Sequence, residues 1–110
     1  MGISTTEPQA KLDVNGTVIL GANGTTINAI IRDTIVFNPG PINGQSTQNV
    51  DLPVANVLHG STTYVSCSFP YPFVISSCFA ANNFVVVRLT NVSSGSADPP
   101  VTTFYITVIQ

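Results

Sequence analysis

An all-β fold is what this sequence predicts: a small antiparallel β-sandwich or jelly-roll head preceded by an extended N-terminal arm. Helical periodicity is missing, because no useful length of chain places apolar residues at i, i+3, i+4 and i+7 between an N-cap and a closing glycine. Short runs rich in Val, Ile, Thr, Phe and Tyr recur instead, separated by Gly, Pro, Asn and Ser. Charge is scarce: 7% of the 110 residues are ionised, where about 25% is usual. Ser, Thr and Asn supply 33 of the 110 residues, a polar mixture that suits pleated surfaces packed against neighbours better than a charge-coated monomer.

The arm, residues 1–29, opens "MGISTTEPQAKLDVNGTVILG". Pro8 disfavours the helical region at Glu7, so Thr5-Thr6-Glu7-Pro8 reads as an extended or turn segment. Lys11 to Val14 and Thr17 to Leu20 each alternate, with Asn15-Gly16 as a turn between them, and Asn23-Gly24 reads as the turn of a hairpin leading to Ile27. Two-stranded pieces are marginal alone. The arm is therefore expected to be ordered by another chain or by interleaving with copies of itself.

In the head, residues 30–110, strands are predicted at Ile30–Phe37, Thr47–Val54, Thr62–Phe69, Phe73–Ala80, Phe84–Val92 and Thr102–Ile109. Asn82-Asn83 tolerates positive φ and should close a hairpin. Pro39, Gly40, Pro41 and Gly44 mark one loop, Pro70-Tyr71-Pro72 a second, and Ser93 to Pro100 a third. Val50, Leu52 and Val54 alternate with Asn49 and Asp51, the pattern of a strand with one wet face. The runs from Phe84 and from Phe104 are apolar on both parities, so their second face should meet something besides water, such as another subunit.

Several chemistries lack their residues. Lys11, Arg32 and Arg88 are scattered and leave the formal charge at −2, so neither a nucleic acid nor an anionic membrane is an expected partner. No apolar run reaches the roughly 20 residues of a spanning helix, and no charged n-region precedes an apolar h-region at the N-terminus, so cytoplasmic synthesis is expected. Asp13, Asp33, Asp51 and Asp98 lack the spacing of a calcium loop, and with His59 the sole histidine no metal or other cofactor is expected. His59, Ser61 and Asp51 could be written as a Ser/His/Asp set, but proximity in sequence does not supply the geometry, and the chain is expected not to be an enzyme. Asp13 and Asp98 read as turn organisers, and Arg88 as a strand residue paired with a carboxylate or loop carbonyl. Asn15, Asn23 and Asn91 begin glycosylation sequons, read here as turns. Cys67 and Cys78 read as reduced core residues, with a disulfide left open if their two segments pair about the Pro70-Tyr71-Pro72 turn.

The string from Gly2 to Thr17 resembles the G-[IV]-G-T-T-x-P-x-x-K-L-D-V-N-G-T segment that recurs in phage fibre proteins and related bacterial surface proteins, with Ser4 where Gly is usual. The remainder resembles a small β-sandwich module at the ends of phage virion proteins, through Asp33 to Pro39, Val87 to Ser93, Asp98-Pro99 and Tyr105 to Ile109. The resemblance implies a non-enzymatic virion structural protein, a homotrimer, whose partners are its own copies and phage capsid or tail proteins. It implies an attachment role for Ile3, Thr5, Thr6, Pro8, Lys11, Leu12 and Val14. Loops on a rigid β scaffold commonly carry binding, so an alternative is a receptor-binding module that contacts a host surface glycan or protein through Asn43, Tyr71 and Asp98. A bacterial surface or filament subunit is a third expectation.

Overall fold

Ten strands and no helix form in the computed structural model, which describes residues 1–110. Four are two-residue pieces: β1 (Gly2–Ile3), β2 (Asp13–Val14), β3 (Val18–Ile19) and β4 (Thr26–Ile27). Six longer ones build the sandwich: β5 (Ile30–Phe37), β6 (Ser46–Pro53), β7 (Thr62–Ser66), β8 (Phe73–Ala81), β9 (Phe84–Asn91) and β10 (Thr102–Ile109). The sandwich is antiparallel throughout, one sheet ordered β5-β10-β7 and the other β6-β9-β8.

Alternation on the strands sets the core. Val50 and Leu52 of β6, Val85, Val87 and Leu89 of β9, and Phe104, Ile106 and Val108 of β10 are all buried. Phe104 is fully buried at the centre, and Phe69 packs edge-on against it with ring centroids 5.6 Å apart, and against Phe73 at 6.2 Å. The edge strand β5 carries Ile31, Ile35 and Phe37 onto this core. Asp33 falls in the same inward register, opposite Ile106, yet is exposed. A charge in that position blunts the open edge against pairing with another strand.

Asn82-Asn83 closes the β8–β9 hairpin, with Asn83 at φ 64°, and it is the one hairpin of the sandwich, since every other connection crosses between sheets. The Pro70-Tyr71-Pro72 turn, which contains a cis Tyr71-Pro72 bond, therefore joins β7 of one sheet to β8 of the other. That arrangement decides the cysteine question. Cys78 lies against Thr63, Sγ to Oγ1 3.4 Å, and Cys67 is four residues farther along the same chain, roughly 13 Å at the rise of a strand. Both thiols are free. Burial pushes the Cys67 thiol above its ordinary value of 9.0, so the folded chain keeps a proton that the unfolded chain gives up.

The outer faces of the two sheets differ. Val86 points outward from β9, in register between Asp51 and Phe79, and is nonetheless buried. Arg88 lies over the Phe79 ring, 5.4 Å from its centroid, a cation–π contact in place of the carboxylate or carbonyl partner expected from sequence. The second face of β9 is thus partly covered from within the chain. That of β10 is not: Tyr105 and Ile109 are open to solvent.

Residues 1–29 project from the sandwich. The chain measures 57 × 28 × 21 Å with a radius of gyration of 17.5 Å, against about 13 Å for a compact chain of this length. Two outcomes follow. Phe104→Ala should cost about 3–5 kcal/mol, read as loss of a cooperative thermal transition. Stability measured by denaturant titration should decline as pH rises past 9.0, because there the unfolded state sheds the Cys67 proton first.

Candidate functional site

Strand direction gives the sandwich two poles. The register pairs Ile30 with Ile109 and Ile109 with Thr62 at one end, and Phe37 with Thr102 at the other. In the second sheet Pro53 and Ala81 both pair with Phe84 at the first end, while Ser46 and Phe73 both pair with Asn91 at the far end. The arm enters at the first pole, and the three loops holding Asn43, Tyr71 and Asp98 emerge at the opposite one.

At the far pole two of the loops are bound together by Asn91, which has no solvent exposure. Its Nδ2 donates to the carbonyls of Ile42 and Gly95, each at 2.9 Å. Its Oδ1 accepts from the Ser93 backbone N–H at 2.9 Å and from the Ser93 hydroxyl at 2.7 Å. Ile42 and Ala97 exchange two backbone bonds of 2.8 and 3.0 Å, and Val92 N–H donates to the Pro72 carbonyl at 3.0 Å. Tyr71 crowns the turn between β7 and β8 with 82% of its surface exposed, and Asn43 and Asp98 are exposed beside the Ile42–Ala97 bridge. Asn91 was legible in sequence only as a sequon turn. A buried amide holding two loops leaves no pattern of its own along the chain.

At the near pole Gln110 performs the matching task. Its backbone carbonyl accepts from Asn28 and Ala29 at 2.6 and 2.9 Å, and its N–H donates to Ala29 at 3.0 Å. Its Oε1 accepts from Leu58 N–H at 3.1 Å and Nε2 donates to Asn56 at 3.0 Å. Ser61 Oγ lies 2.7 Å from the Leu58 carbonyl and 3.0 Å from Gln110 Oε1, while His59 N–H donates to Asn82 Oδ1 at 2.9 Å. The hydroxyl is directed at loop acceptors, and Asp51 stands on the outer face of β6.

Beyond this pole the opening segment closes on itself. β1 and β2 pair in parallel, Gly2 with Asp13 and Ile3 with Val14, flanked by bonds from Asp13 N–H to Met1 and from Asn15 N–H to Ile3, both 2.9 Å. Parallel pairing across so short a crossover needs a tight return, and the side chains supply it. Thr5 Oγ1 accepts from Glu7 N–H at 3.3 Å, and Asp13 Oδ2 accepts from Gln9 N–H at 2.9 Å. Gly2 has no room for a side chain, since a Cβ there would stand 2.8 Å from the Thr5 carbonyl. Ser4 sits at φ 59°, a left-handed backbone that favours glycine, at the position where the resembled segments carry Gly. β3 pairs with β4 and not with β2, so Asn15-Gly16 is a corner between two units, not a hairpin turn.

Of the residues that the resemblance gives an attachment role, Ile3 and Leu12 are exposed apolar side chains on this closed segment, Thr6, Pro8 and Lys11 are exposed, and Thr5 and Val14 are half-buried. Threonine 5 acts through its turn bond, which alternation in sequence does not reveal. No group of three or more His, Cys, Asp or Glu side chains is placed to hold a metal ion.

No protein family, curated protein or solved structure matches this chain.

Asn91→Ala leaves buried partners without bonds and should cost on the order of 1–3 kcal/mol. Amide hydrogen exchange should then quicken in residues 42–45 and 93–97 before it does in β10. Ser4→Gly should strengthen the opening segment by about 1 kcal/mol, seen as slower exchange at the Asp13 and Asn15 amides with the global melting temperature unmoved.

Proposed function

We propose that this protein is a non-enzymatic structural component of a bacteriophage virion: a β-sandwich head that associates with its own copies as a homotrimer and is attached to capsid or tail proteins by its N-terminal arm. The outer face of the β5-β10-β7 sheet carries the reading. Ile30, Val36, Tyr64, Tyr105 and Ile109 are exposed there, Tyr64 by 70% and Tyr105 by 57%. Among the outward positions of those strands Arg32 is the single ionised side chain. A face this apolar and this poor in charge is suited to a protein interface. Ile30 also borders the groove lined by Val14, Val18, Leu20 and Ile27, so the apolar surface continues from the head into the arm. Three arms held at once strengthen attachment without new contacts.

Receptor recognition is the second reading, favoured by one observation: Asn43, Tyr71 and Asp98 gather at the pole facing away from the arm, on two loops bridged by Asn91 and a third tied by the Val92 N–H to the Pro72 carbonyl. A host surface glycan or protein is the ligand class. A glycan array probed with the full chain distinguishes the two readings, since signal lost on Tyr71→Ala supports recognition and a blank array supports plain decoration.

Sedimentation equilibrium of the full chain should report a trimer, which Tyr105→Asp shifts to monomer while the thermal transition stays in place. A wild-type monomer at high concentration retires the assembly reading. Removing residues 1–16 should abolish attachment to particles yet leave folded heads.

A further inference from the structure

Three Asn-Gly dipeptides lie in the connections of this chain: Asn15-Gly16, Asn23-Gly24 and Asn43-Gly44. Such a pair carries its own chemistry. The backbone nitrogen of the glycine, on losing its proton to solvent, can attack the asparagine side-chain carbon. The N–Cγ bond forms, the C–NH₂ bond breaks, and ammonia leaves with a proton from water, giving a five-membered succinimide. Water then adds to one of the two ring carbonyls and opens it to aspartate or isoaspartate. Glycine is the favourable second residue because it has no Cβ to obstruct closure and its backbone turns freely. No oxidant or cofactor enters the balance, and water is the co-reactant.

Within a fold, the step requires a glycine N–H that is free and a chain that can rotate to bring it onto the side chain. Asn23-Gly24 meets neither condition. Gly24 N–H donates to the Gly21 carbonyl at 3.3 Å within the turn, and a Cβ at Gly24 would overlap the Leu20 carbonyl, so the backbone there is hemmed in. Asn43-Gly44 is pinned from both sides. Ile42 is doubly bonded to Ala97, Gln45 N–H donates to Ser93 at 2.9 Å, and Gly44 packs against the Ser93–Gly95 backbone, where the Ser94 carbonyl occupies the space of a side chain. Asn15-Gly16 alone combines the conditions, sharing exposure with Asn23-Gly24 and a glycine N–H without a hydrogen-bond partner with Asn43-Gly44. Asn15 and Gly16 are both exposed, Gly16 N–H has no hydrogen-bond partner, and a Cβ at Gly16 would meet nothing within 4 Å. The ladder ends at the Asn15 N–H and the next strand starts at Val18.

We propose that Asn15 is a site of spontaneous deamidation and isoaspartate formation, selected by the fold from three chemically equivalent Asn-Gly pairs. The inference does not depend on the virion reading. The product changes the corner between the β1–β2 unit and the β3–β4 hairpin in two ways. Isoaspartate routes the main chain through the former side-chain methylene, lengthening the link. A carboxylate replaces a neutral amide, taking the formal charge from −2 to −3.

The test ages the purified full chain in mildly alkaline buffer and follows all three sites by peptide mapping, each conversion being read as the mass difference of NH exchanged for O. A parallel sample is aged in urea, and an Asn15→Asp variant marks the acidic band on isoelectric focusing. In the folded chain Asn15 should convert at least about tenfold faster than Asn23 or Asn43, the ratio given by a barrier difference of about 1.4 kcal/mol. In urea the three should converge. Equal native rates at the three sites, conversion led by Asn23 or Asn43, or a native Asn15 that stays intact while its urea counterpart converts would each overturn the proposal.

Discussion

Two carboxamides hold this structure at its ends, and most of what the molecule presents depends on them. A sandwich whose strands mostly cross between sheets leaves its backbone polar groups gathered in loops at the two poles, and those groups must find partners. Charged side chains are the strong option for binding several loop carbonyls and amides at once, but this chain has almost none. Asn91 and Gln110 meet the need, because an amide both donates and accepts: Asn91 joins an N–H on one loop to a carbonyl on another, and Gln110 ties the chain end to an N–H and a carbonyl of the β6–β7 loop. No buried side-chain nitrogen or oxygen is left without a partner.

Holding the poles in this way frees the broad faces for other uses, and the two faces are used differently. On the β6-β9-β8 sheet, Val86 is buried and Arg88 lies over the Phe79 ring, while Val74, Phe79 and Phe84 remain exposed. On the β5-β10-β7 sheet nothing comparable occurs, and aromatic and aliphatic side chains stand in solvent around one guanidinium. Asp33 adds to the contrast by making the β5 edge of that sheet a poor template for strand addition.

How much of this was legible in the sequence follows from the reach of each cue. Strand positions were readable to within a few residues, because β-branched and aromatic runs at Ile30, Phe73, Phe84 and Thr102 are punctuated by Gly, Pro and Asn pairs that cannot continue them. Partner choice was not. Pro70-Tyr71-Pro72 marks a reversal, but a turn of that composition serves a hairpin and a crossing between sheets equally well, and only the packed core decides that β7 and β8 belong to different sheets. The exposed loops holding Asn43, Tyr71 and Asp98 were visible as loops, while their gathering at one pole is a property of topology. Asn91 was readable as a turn residue, and its Oδ1 does accept from Ser93 N–H two residues on, but the local pattern conceals the contact its amide makes across 49 residues of chain. In the opening segment, Thr5 and Asp13 do their work through bonds two and four residues away, a range at which alternation is silent.

The placement of β5 and β10 has a mechanical meaning. The arm enters β5 at one pole, and β10 begins at the opposite one, the two strands running antiparallel through eight paired residues. If the chain is tethered by its arm and pulled from the distal loops, tension enters the ladder lengthwise from opposite ends. The bonds of that ladder are then loaded together in shear instead of being peeled apart one after another, so the joint between tether and head lies along the direction in which a pair of strands resists most.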